Sequence, residues 1–158
     1  MEDWRRIDID ALDPENGRLT AADLTKPILQ TGEPVYSSQD VQGIMGSLRS
    51  YASSGDFTSV VKLITAQPVY FADSEQTKDM YVKQVVESLA QCRTMEISKI
   101  VSGLTDSECD VLIKFLYKGM SIPEGAKQGT ILLAWLDNII EKNGSNSIIR
   151  YLTDRKTV

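Results

Sequence analysis

Few residues in this sequence have the type and spacing to do chemistry. They are the acids Asp106, Glu108 and Asp110, the thiols Cys92 and Cys109, the glycine-bounded stretch GMSIPEGAKQG, and Trp4 with its neighbours. Histidine is absent. That removes the commonest general base, the usual partner of a nucleophilic Ser or Cys, and the commonest zinc ligand together. The acids alternate as in a calcium loop, but Val111 stands where the loop's sharp turn needs glycine, and a negative first helical turn facing the helix dipole accounts for them. Asp8, Asp10 and Asp13 fail the same template because Leu12 fills the fifth position. The stretch from Gly119 is no P-loop: five positions on stands Glu124, where that loop needs glycine followed by lysine. The two cysteines lie seventeen positions apart inside apolar helical patterns and read as small buried hydrophobes. No catalytic residue, metal ligand or cofactor is expected.

Binding chemistry is better represented. Trp4 belongs to no periodic stripe and sits beside Arg5 and Arg6, the composition of an interface anchor. Ile7 and Ile9 alternate with Asp8 and Asp10 at the two-residue period of a strand, which lets an extended peptide show one side to a partner and the other to water. Trp4 folded back on its own chain is the competing reading. Met80, Met95, Tyr81 and Trp135 fall in helical stripes and are expected in the core. The terminal RKTV resembles a ligand for a carboxylate-binding groove, but Lys156 stands where such ligands need a hydroxyl.

The net charge of −5 lies wholly in the first 40 residues, which hold nine acids and four bases, while the remaining 118 hold thirteen of each. A neutral core lacks the clustered basic surplus that phosphate binding needs, so nucleic acid is excluded as a partner. No apolar run approaches the roughly 20 residues of a membrane span, and neither a signal peptide nor a lipidation motif is present. A soluble protein of the cytoplasm is expected.

The elements that position these residues divide the chain into an extended N-terminal arm, 1–38, and a helical core domain, 39–158. Pro14, Gly17, Pro27, Gly32 and Pro34 interrupt any long helix in the arm, although LTAADLTK allows a turn or two starting from Thr20. From residue 39 the period becomes helical. Val41, Ile44, Met45, Leu48 and Ala52 make one stripe ending at Gly55. Asp56 caps a second helix through Phe57, Val60, Val61 and Ile64. A third starts near Asp73 or Ser74 and carries Val82, Val85, Val86 and Leu89. Thr94 is expected to cap a fourth, and Thr105 with Glu108 forms a capping box for a fifth that stops at Gly119. A sixth, GTILLAWLDNIIEKNG, is apolar around more than half its circumference and is expected to be central. The last turns Ile148, Tyr151 and Leu152 inward. The expected fold is all-α: about seven short helices in an α-α superhelix-like array, with no strand after residue 38.

Four segments in order, RRIDIDALDPENGRL, DVLIKFLYKGM, LLAWLDNI and SIIRYLTDRKTV, together resemble the actin-related protein 2/3 complex subunit 5 family, its fungal members above all. The resemblance implies a non-enzymatic, all-helical structural subunit of a seven-subunit assembly that nucleates branched actin filaments in the cytoskeleton, at actin patches. It implies a core docked beside subunit 4 and the β-propeller subunit 1, with the arm reaching toward actin-related protein 2. By position Arg5, Arg6, Ile7, Asp8, Ile9 and Asp10 match the arm motif, and Arg155, Lys156, Thr157 and Val158 the tail motif. The segment TAADLTKPILQTGEPVYSS is more apolar here than in family members. Two other classes stay open on the residues alone: a free-standing helical adaptor binding peptides from several partners, and an enzyme using Asp106 with Glu108.

Overall fold

A computed structural model describes residues 34–154 and 156–158. The features expected of Trp4 to Asp10, the short helix from Thr20, and Arg155 lie outside the described residues.

Local signals set most helix ends. Helix α1, Ser38–Ser54, starts in a capping box: Ser37 Oγ accepts from the Asp40 amide at 3.2 Å, and the Asp40 carboxylate accepts from the Ser37 amide at 3.1 Å. Each satisfies a donor the first turn would otherwise strand. It ends at Gly55, whose φ of 77° is a left-handed conformation that only glycine adopts without strain. Asp56 then accepts from the Ser59 amide to open α2, Phe57–Ala66, and places Val60, Val61 and Ile64 in the core. Ser74 caps α3, Glu75–Ala90, through the Thr77 amide.

Helix α4, Thr94–Ser102, begins one residue earlier than Thr94 could cap: Arg93 holds the cap position, without a side-chain bond. Its far end is closed from outside. The Lys142 ammonium donates to the carbonyls of Val101 at 3.0 Å, Ser102 at 3.4 Å and Leu104, at the negative end of the helix dipole. Helix α5, Asp106–Ser121, carries the expected Thr105 and Glu108 box but runs two residues past Gly119. A single turn, α6, Pro123–Ala126, follows where a loop was expected, with Pro123 at its favoured first position. Helices α7, Gly129–Asn143, and α8, Asn146–Thr153, complete the chain.

Among the described residues the array is all-α with eight helices and one miniature sheet. In that sheet β1, Val35–Tyr36, runs parallel to β2, Phe71–Ala72. The strand at Phe71 overturns the expectation of none after residue 38: a two-residue ladder is too short to leave a period in the sequence.

The hub is α5 rather than the more apolar α7. Helix α5 packs on α2, α3, α6, α7 and α8, and buries Cys109, Leu112, Ile113, Phe115 and Leu116. Helix α7 contributes Leu132, Trp135 and Ile139 to the core but leaves Leu133 half exposed. Trp135 donates its indole N–H to the Leu89 carbonyl at 3.3 Å, and Tyr81 its hydroxyl to the Gln67 carbonyl at 3.2 Å, so both polar tips are satisfied. Tyr81 also meets Phe115 edge to face at 5.7 Å. Met95, by contrast, is 94 % exposed and Met80 about half exposed, correcting their expected place in the core. Helix α6 presses so closely on α5 that a methyl on Gly125 would run into the Gly119 carbonyl, and one on Gly119 into Val86.

Candidate interaction surface

The thiols offer no nucleophile. Burial pushes Cys92 up to about 11 and raises Cys109 as well, which holds both as inert thiols at neutral pH. Among the described residues no group of three or more acids and cysteines is placed to hold a metal. No described helix is long and apolar enough to cross a membrane. The acids Asp106 and Glu108 do what the first helical turn requires: bonds from the Thr105 backbone and hydroxyl lower the Glu108 pKa.

What the surface offers is places to be bound. The tail motif comes first. Lys156 is half buried, its amide donates to Asp154 at 3.0 Å, and its ammonium lies 5.8 Å from the Tyr70 ring centre. The Thr157 carbonyl accepts from Lys78 at 3.4 Å, and Val158 is buried. The tail is therefore seated on the core. Its fastening was not anticipated. Lys114, in the middle of the apolar run VLIKFL, is 5 % exposed and gives its ammonium to Asp154 at 2.6 Å and to the Tyr70 hydroxyl at 3.2 Å. A lysine inside an apolar stripe was the signal available, since a buried ammonium needs a partner. Nothing in the sequence says that the partner stands 40 residues away.

Helix α8 carries the second surface. Arg150 grips Asp110 on α5 with two bonds, 2.7 and 2.9 Å, and this pairing raises its pKa. The same guanidinium donates to Ser147, which is fully buried. These contacts orient the helix with its small polar residue inward. Ile148 and Tyr151 are half buried, with Tyr151 stacked on Tyr117 at 4.7 Å. Ile149 is 57 % and Leu152 73 % exposed, so Leu152, expected inward, faces out. These two exposed apolar residues lie one turn apart on α8 and form one apolar patch on its outer side.

The family profile described as the ARP2/3 complex 16 kDa subunit, p16-Arc, matches residues 3–158. The chain belongs to this family. It is similar to the actin-related protein 2/3 complex subunit 5 of Saccharomyces cerevisiae, with 51 % identity over 156 residues that cover 99 % of this chain and 98 % of the relative. The subunit 5-like protein of Homo sapiens is 27 % identical, over 98 % of this chain and 94 % of its own. Subunit 5-C of Xenopus laevis is 29 % identical over 72 % and 75 %. The helical family expected from the sequence is thereby established.

Proposed function

We propose that this chain is a structural, non-catalytic subunit of an actin-related protein 2/3 complex, supporting filament nucleation and branching in the cytoskeleton. The observation that carries the reading is the end-to-end match: a relative named as subunit 5 of that complex shares half the residues over essentially both full lengths. The exposed Ile149 and Leu152 supply an apolar area of the kind a docked subunit covers.

In this reading the core docks beside subunit 4 and the β-propeller subunit 1. The N-terminal arm tethers actin-related protein 2, with Trp4, Ile7 and Ile9 as anchors and Arg5, Arg6, Asp8 and Asp10 as their polar flanks. A tethered segment acts through its high local concentration and needs no tight intrinsic affinity. Arg155 and Lys156 belong to the tail, where Lys156 fastens the core more readily than it reaches a partner.

The test is a truncation at 33/34, because Val35 to Ser38 are built into the core. The truncated chain is expected to fold and to co-purify with the other subunits, while filament nucleation by the assembled complex falls. Normal nucleation overturns the tether. A full-length chain that migrates alone in cell extract overturns membership of the complex.

A further inference from the structure

The N-terminal edge of the core is bonded with a density that its position in a connecting segment does not require. Five residue pairs join residues 35–38 to partners 35 or more positions away. Val35 and Tyr36 pair with Phe71 and Ala72. The Asp73 amide donates to the Tyr36 carbonyl at 3.2 Å, and the Asp73 carboxylate accepts from the Ser38 amide at 3.0 Å, closing a reciprocal pair. The Ser38 hydroxyl lies 3.3 Å from that of Thr77, a buried side chain itself held by the Ser74 cap. The capping box of α1 satisfies the amides of Ser37 and Asp40, and the Ser38 amide, a first-turn donor the box leaves over, is the one that Asp73 takes.

We infer that residues 35–38 are a fixed joint, in which β2, Asp73 and the first turn of α3 hold the chain that leads into α1 at one position and in one direction. For its functional half this rests on the tether reading above: the tether then begins at residue 33, from a set point, and not at the start of α1. A magnitude decides what the joint is for. Between the proposed anchors, which end at Asp10, and the joint lie 23 residues, 11–33; releasing the joint would lengthen that tether by about four residues, and because local concentration falls with about the −3/2 power of length, the loss is about a fifth. Length control is thus a minor effect. A set origin and direction is the larger one.

Ser38→Pro tests this cleanly. Ser38 is the first helical residue, where proline is favoured, and Ser37 at φ −74° and ψ 159° already has the conformation that precedes proline. The substitution removes the donor to Asp73 and the hydroxyl facing Thr77 but spares the capping box. Asp73→Ala attacks the same joint from the other side without changing a residue of α1. In the full-length chain, both variants are expected to speed hydrogen exchange of the Asp73 amide about tenfold or more, with the α1 interior unchanged. Unchanged exchange in both overturns the joint. In the assembled complex, Ser38→Pro is expected to lose at least half of the nucleation that deletion of residues 1–33 removes. Full activity, with the deletion effective, overturns the directional role. An ineffective deletion overturns the tether, and the joint is then judged by the exchange result alone.

Discussion

Helices α5 and α8 lie against each other and treat the same chemistry in opposite ways. Helix α5 buries its apolar stripe and takes a lysine inside with it. Helix α8 has a marked apolar face, yet its fully buried residue is Ser147, while Ile149 and Leu152 look outward. The difference lies in neighbours. Five helices pack on α5, so its middle, residues 112–116, is buried all round and a charge there must be paired: Lys114 finds Asp154 and Tyr70. Among the described residues only α5 and α7 touch α8 extensively, and the Arg150 grip on Asp110 decides which side they see. Apolar patterning therefore says that a helix will be covered, but which part of an assembly covers it is settled by such polar contacts.

Substitutions in order of size would sharpen this contrast. Phe115→Ala in the hub removes a fully buried ring and is expected to lower unfolding stability by about 3–5 kcal/mol in denaturant melts. Asp154→Ala should cost less, about 2 kcal/mol, because it strands a buried ammonium but loses a carboxylate that is itself partly exposed. A cost no greater than that of Lys114→Met would show that the pair is dispensable to the hub. Thr105→Ala opens the α5 capping box and should cost about 1 kcal/mol in the same melts. Leu152→Ser on α8 should change stability by under about 0.5 kcal/mol while weakening co-purification with the other subunits. A large stability loss there would mean that the outward face serves the fold after all.

Acid should separate the two helices further. Asp40, Asp56 and Glu108 all have lowered pKa values, each through bonds at a helix start. A carboxylate lowered on folding stabilises the native state above its unfolded value, near 4, and this contribution disappears as pH falls through the folded value. Melting temperature should thus hold steady from pH 7 to about 5 and fall below 4. Helices α1, α2 and α5 carry these acids. Helix α8 has no side-chain cap and carries none of the three.

The same division marks what could be read from sequence. Gly55, Asp56, Thr105 and Glu108 act within three or four residues, so their helix boundaries were legible. So was the core stripe of α5, and the family itself from segments spread along the chain. The β1–β2 ladder, the Asp73–Ser38 bond and the Lys114–Asp154 pair join residues 35 to 40 apart, and no local pattern encodes the partner. Leu152 was misplaced for a related reason: periodicity aligned it with Ile148 but carried no information on the α5 carboxylate that rotates the helix. The arm residues Trp4 to Asp10 remain a sequence proposal, testable by the truncation.

The inert thiols have a practical consequence. With Cys92 at about 11, roughly a few parts in ten thousand would be thiolate near pH 7.5, and neither sulfur is accessible to reagents. The native thiols are thus expected to react slowly with maleimide dyes. One cysteine introduced at Glu2 and another at exposed Met95 would take donor and acceptor fluorophores without removing either native thiol or the proposed anchor Trp4, so that the distance between arm and core in the working assembly can be read molecule by molecule.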